Sequence, residues 1–273
     1  SSRCNNIQPG QPGGRCLLMK INGLTPVYFD IEATGFSSFE DDFVCAATLM
    51  KDSCTIDQGV YKSLTTANFA ARKNGLLVTY NGENYRGGFD FPFLRSKCIQ
   101  QGIEWQLSGV KHLDLLPLVR KYLNTTGYEP PSKSNLYADD MKRLAEANGI
   151  EYSNKSQCYE ELEQLDNVDW LDYEMQPNED NSLQSVYQKL FDPEQEEEYI
   201  SGERIPELYF LIKYKEKTKH NGLVLHDIES EIDELWQQIK EHNRRDVERL
   251  KKVAEKVIPV LPNWEIKRNI NKL

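Results

Sequence analysis

The sequence predicts a mixed α/β domain, and three observations predict it. Runs rich in β-branched and aromatic residues fall at 27–34, 43–50, 55–64 and 76–80, with a fifth at 111–116. Apolar residues at steps of three and four mark helices later in the chain, above all from Asp227 onward. Gly and Asn punctuate the junctions, as at Asn74-Gly75, Asn81-Gly82, Gly102 and Gly149. The 273 residues suffice for one large domain or two small ones with a sizeable core.

Taken in order, residues 1–24 are rich in Gly, Pro and Asn and read as a tail with a short docking segment at Leu17-Leu18-Met19. Val27, Tyr28 and Phe29 open the first strand, and Thr34-Gly35 closes it in a tight turn. The strands at 43–50 and 55–64 form a hairpin about Lys51-Asp52-Ser53. Thr65-Thr66 reads as the cap of a helix over 67–73, stopped by Asn74-Gly75. Pro92 suits the first turn of a helix running to about Gln101, with Asp90 at or near its N-cap. A short helix through Leu123 follows the fifth strand, and 124–133 reads as a loop. The helix over 135–148 turns Leu136, Met141, Leu144 and Ala145 inward. Another helix spans 205–214, the last helix starts near Asp227, and 259–273 reads as a C-terminal tail.

The net charge of −10 is unevenly placed. Residues 151–198 hold 15 acidic and 2 basic residues, so the remaining chain carries +3 and retains the means to bind a polyanion. That segment also contains Leu162, Leu165, Trp170, Leu171, Leu183, Val186 and Leu190, so it reads as a helical insertion. It is either a solvated decoration, a lid or a surface for a protein partner. No apolar run approaches membrane-spanning length, which argues against a membrane partner. The six cysteines form no Cys-x-x-Cys pair and read as reduced thiols of a cytoplasmic protein.

Candidate chemistry begins at Asp30 and Glu32. Residues two apart on a strand project from one face. Two like charges held together are costly unless a cation lies between them, and oxygen donors favour magnesium or manganese. On the last helix the apolar steps Ile228, Ile232, Leu235 and Ile239 continue through His242 and Asp246 before Leu250 and Val253. The stripe therefore has a polar interruption, which reads as a buried His–Asp pair or as an opening onto a metal site.

Four carboxylates then stand in order: Asp30, Glu32, Asp90 and Asp246. The chain resembles the DEDD 3′–5′ exonuclease superfamily, with its ribonuclease-H-like fold. Four motifs carry the resemblance: Phe29-Asp30-Ile31-Glu32-Ala33-Thr34-Gly35, Phe89-Asp90-Phe91-Pro92-Phe93-Leu94 after Tyr80-Asn81-Gly82, His112-Leu113-Asp114-Leu115-Leu116, and His242-Asn243-Arg244-Arg245-Asp246. With Ser201-Gly202-Glu203-Arg204-Ile205-Pro206 they look most like the YprB-like branch. The resemblance implies a mixed five-stranded sheet with helices on both faces, spanning 25–258 and interrupted by the acidic helical insertion. It further implies that Asp30, Glu32, Asp90 and Asp246 hold two divalent ions, Mg2+ or Mn2+, for hydrolysis of single-stranded DNA or RNA, with DNA favoured. Thr34, Gly35, Phe36, Asn81, Asn243 and Arg244 are the candidates for touching nucleic acid.

The superfamily's general base is a Tyr four residues before the last Asp or a His five before it. Here the residue four before is His242 and the residue five before is Glu241. One helical turn puts His242 on the face of Asp246, so His242 is the candidate base, with a supporting role beside Asp246 as the alternative. Two other readings of the chain stand beside the exonuclease: an endonuclease of the same fold, and a non-catalytic nucleic-acid- or protein-binding module.

Overall fold

The structure is a computed structural model that describes residues 19–83, 87–123, 126–129, 136–165, 168, 176–179, 181–191, 202–220 and 228–273. These fall into two compact units, one drawn from Ser1–Leu123 with Val186–Leu273 and the other from Asn124–Ser185. The expected docking segment at 17–19 lies almost wholly outside the described residues, as do Trp170 and Leu171.

In the first unit, β1 (Thr25–Ala33) runs into the hairpin of β2 (Phe43–Met50) and β3 (Ser53–Asp57). Lys51, at φ +61°, makes the turn between them. Helix α1 (Val60–Ala71), β4 (Gly75–Thr79), α2 (Asp90–Gln101), β5 (Lys111–Asp114) and α3 (Leu116–Tyr122) follow. In the second unit, β6 (Thr126–Glu129) pairs antiparallel with β7 (Gln176–Glu179), and α4 (Ala138–Ala147) packs on α5 (Lys155–Glu163). Leu136, Met141, Leu144, Cys158 and Leu162 are the core of that unit. Then come α6 (Leu183–Phe191), α7 (Ile205–His220), the 30-residue α8 (Ile228–Val257), α9 (Asn263–Asn269) and β8 (Ile270–Lys272).

The main sheet has six strands in the order β3-β2-β1-β4-β5-β8. β1, β4 and β5 are parallel, and β2, β3 and β8 run against their neighbours. Central β1 is covered on both sides, and its alternation sorts its residues. Val27, Phe29 and Ile31 join Leu64, Leu77, Phe91 and Leu94 in the core under α1 and α2. The opposite side of the sheet meets α7 and α8, where Cys45 packs with Ile205, Leu208, Ile212 and Ile239. Helices therefore lie on both faces, as the sequence predicts.

Several expectations are corrected. The sheet has a sixth strand, because 259–273 is not a tail: Ile266 is buried, and β8 gives the open edge of β5 backbone partners. β3 ends at Asp57, and α1 begins at Val60 after Gly59 takes φ +93°. Thr65 does not cap a helix; inside α1 its hydroxyl donates to the Tyr61 carbonyl at 2.8 Å. The loop expected at 124–133 contains β6, and α7 runs six residues past the expected Tyr214, to His220.

His112 on β5 is buried, with Nε2 2.8 Å from the Thr79 hydroxyl and its ring edge-on to Phe91. Burial, helped by the charge of Arg95, lowers its pKa to about 3. From the unfolded value of 6.5 down to about 3, the unfolded chain binds a proton that the folded chain refuses. Stability supplied by neutral His112 is thus present above that window and is lost as pH falls through it, at up to about 1.4 kcal/mol per pH unit. We expect His112→Gln to remove about that much slope from unfolding free energies measured by urea titration between about pH 6 and pH 4. A slope equal to that of the parent protein would show that His112 is not held neutral.

Candidate active site

β1 directs Asp30 and Glu32 to the α8 side of the sheet, at the carboxyl end of the parallel strands. The register of β1 with β2 shifts between Glu32 and Ala33, so a bulge ends the ladder beside the two acids. α8 supplies Asn243, which is fully buried. Its Nδ2 donates to Asp30 Oδ2 at 2.9 Å and to Glu32 Oε1 at 3.4 Å. Its Oδ1 accepts from the Cys45 thiol at 3.7 Å. One amide thus uses both its ends to tie helix to sheet.

His242 and Asp246 follow on the same face of α8. His242 Nε2 lies 3.4 Å from Glu32 Oε1 and 3.2 Å from Asp246 Oδ2, and the ring is 5% exposed. Donor atoms of Glu32, His242 and Asp246 all lie within 4.8 Å of one another, close enough to share a cation. Buried Arg249 places Nη1 3.5 Å from the other Asp246 oxygen. Gly202, at the start of a 3-10 turn before α7, backs onto this ring: a Cβ there would sit 3.5 Å from His242 Nε2.

Asp90 enters from the end of β4. Asn81 takes φ +69°, and its N–H donates to Asp114 Oδ1 at 2.9 Å. The same oxygen accepts from the Leu116 N–H at 3.0 Å, so Asp114 orients the chain here. The Phe89 N–H donates to the Asn81 carbonyl at 2.6 Å and the Phe91 N–H to the Gly82 carbonyl at 3.1 Å. A Cβ on Gly82 would fall 2.1 Å from Thr79 Oγ1, so only glycine permits this turn. The result seats Asp90 in the first turn of α2, buried, with Oδ2 lacking a hydrogen-bond partner among the described residues.

The acids feel one another. Burial, then the Asp246 charge, pushes Asp30 well above the usual carboxylate range, against the pull of the Asn243 hydrogen bond. Burial and the charges of Asp30, Asp246 and Asp90 do the same to Glu32, again opposed by Asn243. Asp90 is raised by burial and then by Asp30 and Asp114. Buried acids that raise one another's pKa, with an oxygen left unpartnered, fit a divalent cation.

The remaining expected residues divide. Thr34 Oγ1 accepts from the Asp42 N–H at 2.8 Å, and a Cβ on Gly35 would strike the Asp41 carboxylate. This pins the loop that carries Phe36, which is 90% exposed and edge-on to Phe89 at 5.6 Å. Arg244 is not drawn to the carboxylates: Nε and Nη2 both donate to Glu241, at 3.1 and 2.9 Å. Asn81 contributes chiefly its backbone. Sequence reasoning missed Arg249 and the position of Gly202 over His242. Arg249 is legible in hindsight as a charge one turn beyond Asp246.

With this geometry in place, comparison with known proteins gives one similarity, over part of the chain. Residues 27–133 match the RNase_H_2 family model of the RNase H superfamily. No curated protein matches this chain. The match includes Asp30, Glu32 and Asp90, while His242, Asn243 and Asp246 lie beyond it. The six-stranded mixed sheet has the RNase H-like architecture, and that superfamily points to a nuclease acting on nucleic acid. No helix among the described residues is long and apolar enough to cross a membrane.

Two outcomes follow from the charge arrangement. Asn243→Asp sets a further acid against Asp30 and Glu32, and should cost about 3 kcal/mol in metal-free urea unfolding, in the range for an unpaired buried charge. A cost below about 1 kcal/mol would mean that the amide does not hold the pair. The raised pKa values of Asp30, Glu32 and Asp90 mean that the metal-free folded chain keeps protons the unfolded chain releases above about pH 4. Their contribution to stability is therefore present at low pH and lost as pH rises through the raised values. Millimolar magnesium should raise Tm more at about pH 8 than at about pH 5, where protons compete with it. An equal shift at both would argue against a cation among these acids.

Proposed function

We propose that this protein is a DEDD-type 3′–5′ exonuclease that releases nucleoside 5′-monophosphates from single-stranded nucleic acid, with DNA favoured over RNA. The observation that carries the reading is that Asp30 and Glu32 from β1, Asp90 from α2 and Asp246 from α8 lie near enough for the charges of Asp30, Asp90 and Asp246 to raise the pKa values of their acidic neighbours. These four would hold two magnesium or manganese ions, which supply Lewis-acid stabilisation of the phosphate and a nucleophile at neutral pH. Asn243 fixes the side chains of Asp30 and Glu32 before any substrate arrives, so little reorganisation is left for the chemical step.

His242 is the group in this cluster suited to accept a proton. Its Nε2 faces both Glu32 and Asp246, and burial against Gly202 limits its rotation. The loop of Thr34, Gly35 and Phe36 presents an exposed ring in which a terminal base finds a stacking partner. The unit at 124–185 is read as an insertion in the nuclease domain, and the acidic stretch 151–198 as its surface for a protein partner.

Digestion of 3′-labelled and 5′-labelled single strands, DNA and RNA in parallel with manganese, tests the proposal. Mononucleotides should be released from the 3′ end. Asp30→Asn should reduce the rate at least about 100-fold, and His242→Ala about 100- to 10,000-fold. Cutting of circular single strands would replace the exonuclease reading with an endonuclease. Full activity in Asp30→Asn would remove the carboxylate mechanism.

A further inference from the structure

Beside the carboxylates, α3 and the C-terminal α9–β8 segment enclose a pocket of about 600 Å³. Glu83 and Asp114 are among the residues that line it. Asp114 holds the turn that seats Asp90 and contributes its charge to Asp90, so the pocket opens next to the cluster. Arg120, Lys121 and Arg268 line it as well. Neither α9 nor β8 lies within the stretch matched to the family model.

Each acidic group of the pocket has a partner, although Glu83 Oε2 and Glu265 Oε2 accept no hydrogen bond among the described residues. Glu83 pairs with Arg95 at 2.6 Å, buried Glu265 pairs with Lys121 at 2.7 Å, and Asp114 accepts two backbone N–H groups. Arg120 and Arg268 are exposed and have no ion-pair partner among the described residues. Two uncommitted guanidiniums therefore face a cavity next to a site that handles phosphodiesters. Trp264, on the same face of α9 as Arg268 and 59% exposed, lies against Lys121, whose Nζ is 5.7 Å from the centre of the indole ring. A cation pair beside an exposed aromatic ring is the combination that single-stranded nucleic acid uses: phosphate on guanidinium, base on ring.

We propose that this pocket is a strand-holding subsite, in which Arg120 and Arg268 bind backbone phosphates and Trp264 stacks a base of the single strand leading away from the carboxylates. It rests on the reading of the protein as a nuclease for single strands, and it adds a site that reaches beyond the stretch matched to the family model. Length selectivity follows: a strand long enough to reach from Asp90 to Arg268 gains contacts that a dinucleotide lacks.

The test is binding of a fluorescent 15-mer oligodeoxynucleotide to the full chain in chelator, where no cleavage occurs, read by anisotropy across a salt series. Arg120→Glu with Arg268→Glu should weaken binding about tenfold or more and flatten the plot of log affinity against log salt by about 1.4, the share of two phosphates. Trp264→Ala should weaken it about tenfold with the salt slope unchanged. The milder Arg120→Gln with Arg268→Gln should give the same direction, and its Tm checks that the fold is kept. Lys217→Glu with Lys256→Glu changes the charge equally at exposed positions elsewhere and should leave 15-mer affinity near that of the parent. Affinity and slope within twofold of the parent in the arginine variants would overturn the subsite, as would equal weakening by the control pair. Cleavage is scored separately with Asp30→Asn: strand binding that persists without any cleavage by the parent protein counts against the exonuclease and not against the subsite.

Discussion

The side-chain amide of Asn243 is the interaction on which the site depends. β1 and α8 come from opposite ends of the chain, and each brings acids to their interface. Left alone, Asp30 and Glu32 would oppose the docking of the helix on the sheet, because burial and the Asp246 charge disfavour their ionised forms. Asn243 donates to both strand acids and accepts from the Cys45 thiol of β2, so helix, central strand and neighbouring strand are pinned through one buried group. The apolar contacts of Ile239, Val247 and Leu250 hold α8 down along the rest of its length. The site is therefore a place of charge repulsion within a well-packed helix–sheet contact, and under the proposed function a cation would relieve that repulsion.

Much of this was legible in the sequence because it rests on local periodicity. The period of two that sends Val27, Phe29 and Ile31 to one core sends Asp30 and Glu32 to the other side. The stripe of α8 showed His242 and Asp246 as its interruption. What the sequence concealed was long-range or short. β8 has three residues, Ile270, Asn271 and Lys272, with too little pattern to distinguish a strand from a tail; only the open edge of β5 makes it one. Thr65-Thr66 looked like a cap because β-branched hydroxyl residues favour helix ends, yet the buried stripe of Val60, Leu64, Ala67 and Ala71 carried the helix through them. Gly202 meets His242 across a large sequence separation, and Arg244 chose Glu241 on its own helix over the acids across the interface; neither choice leaves a trace in local spacing.

The C-terminal segment changes the sheet's surroundings as well as its strand count. α9 and β8 close the edge of β5, and Glu265 of α9 reaches Lys121 of α3. The edge that a five-strand sheet would leave open is in this way converted into a walled surface with its own charge pattern. Leu273 reinforces it by packing onto the main core, and its backbone exchanges hydrogen bonds with Gly109 and Val110.

The position of Asp246 has a consequence for how such a chain can change over time. Asp90 is fixed by the turn at Asn81 and Gly82, whereas Asp246 is fixed by the docking of α8 on β1. The residues between α3 and α8, including the whole unit of Asn124–Ser185, carry none of the cluster's acids. Their length matters only through loop closure, whose entropic cost rises by about 0.6 kcal/mol for each doubling. Insertions can therefore accumulate there at small thermodynamic cost and leave the acids in register, so that this interval is free to acquire new business while the ancestral chemistry stays where it was.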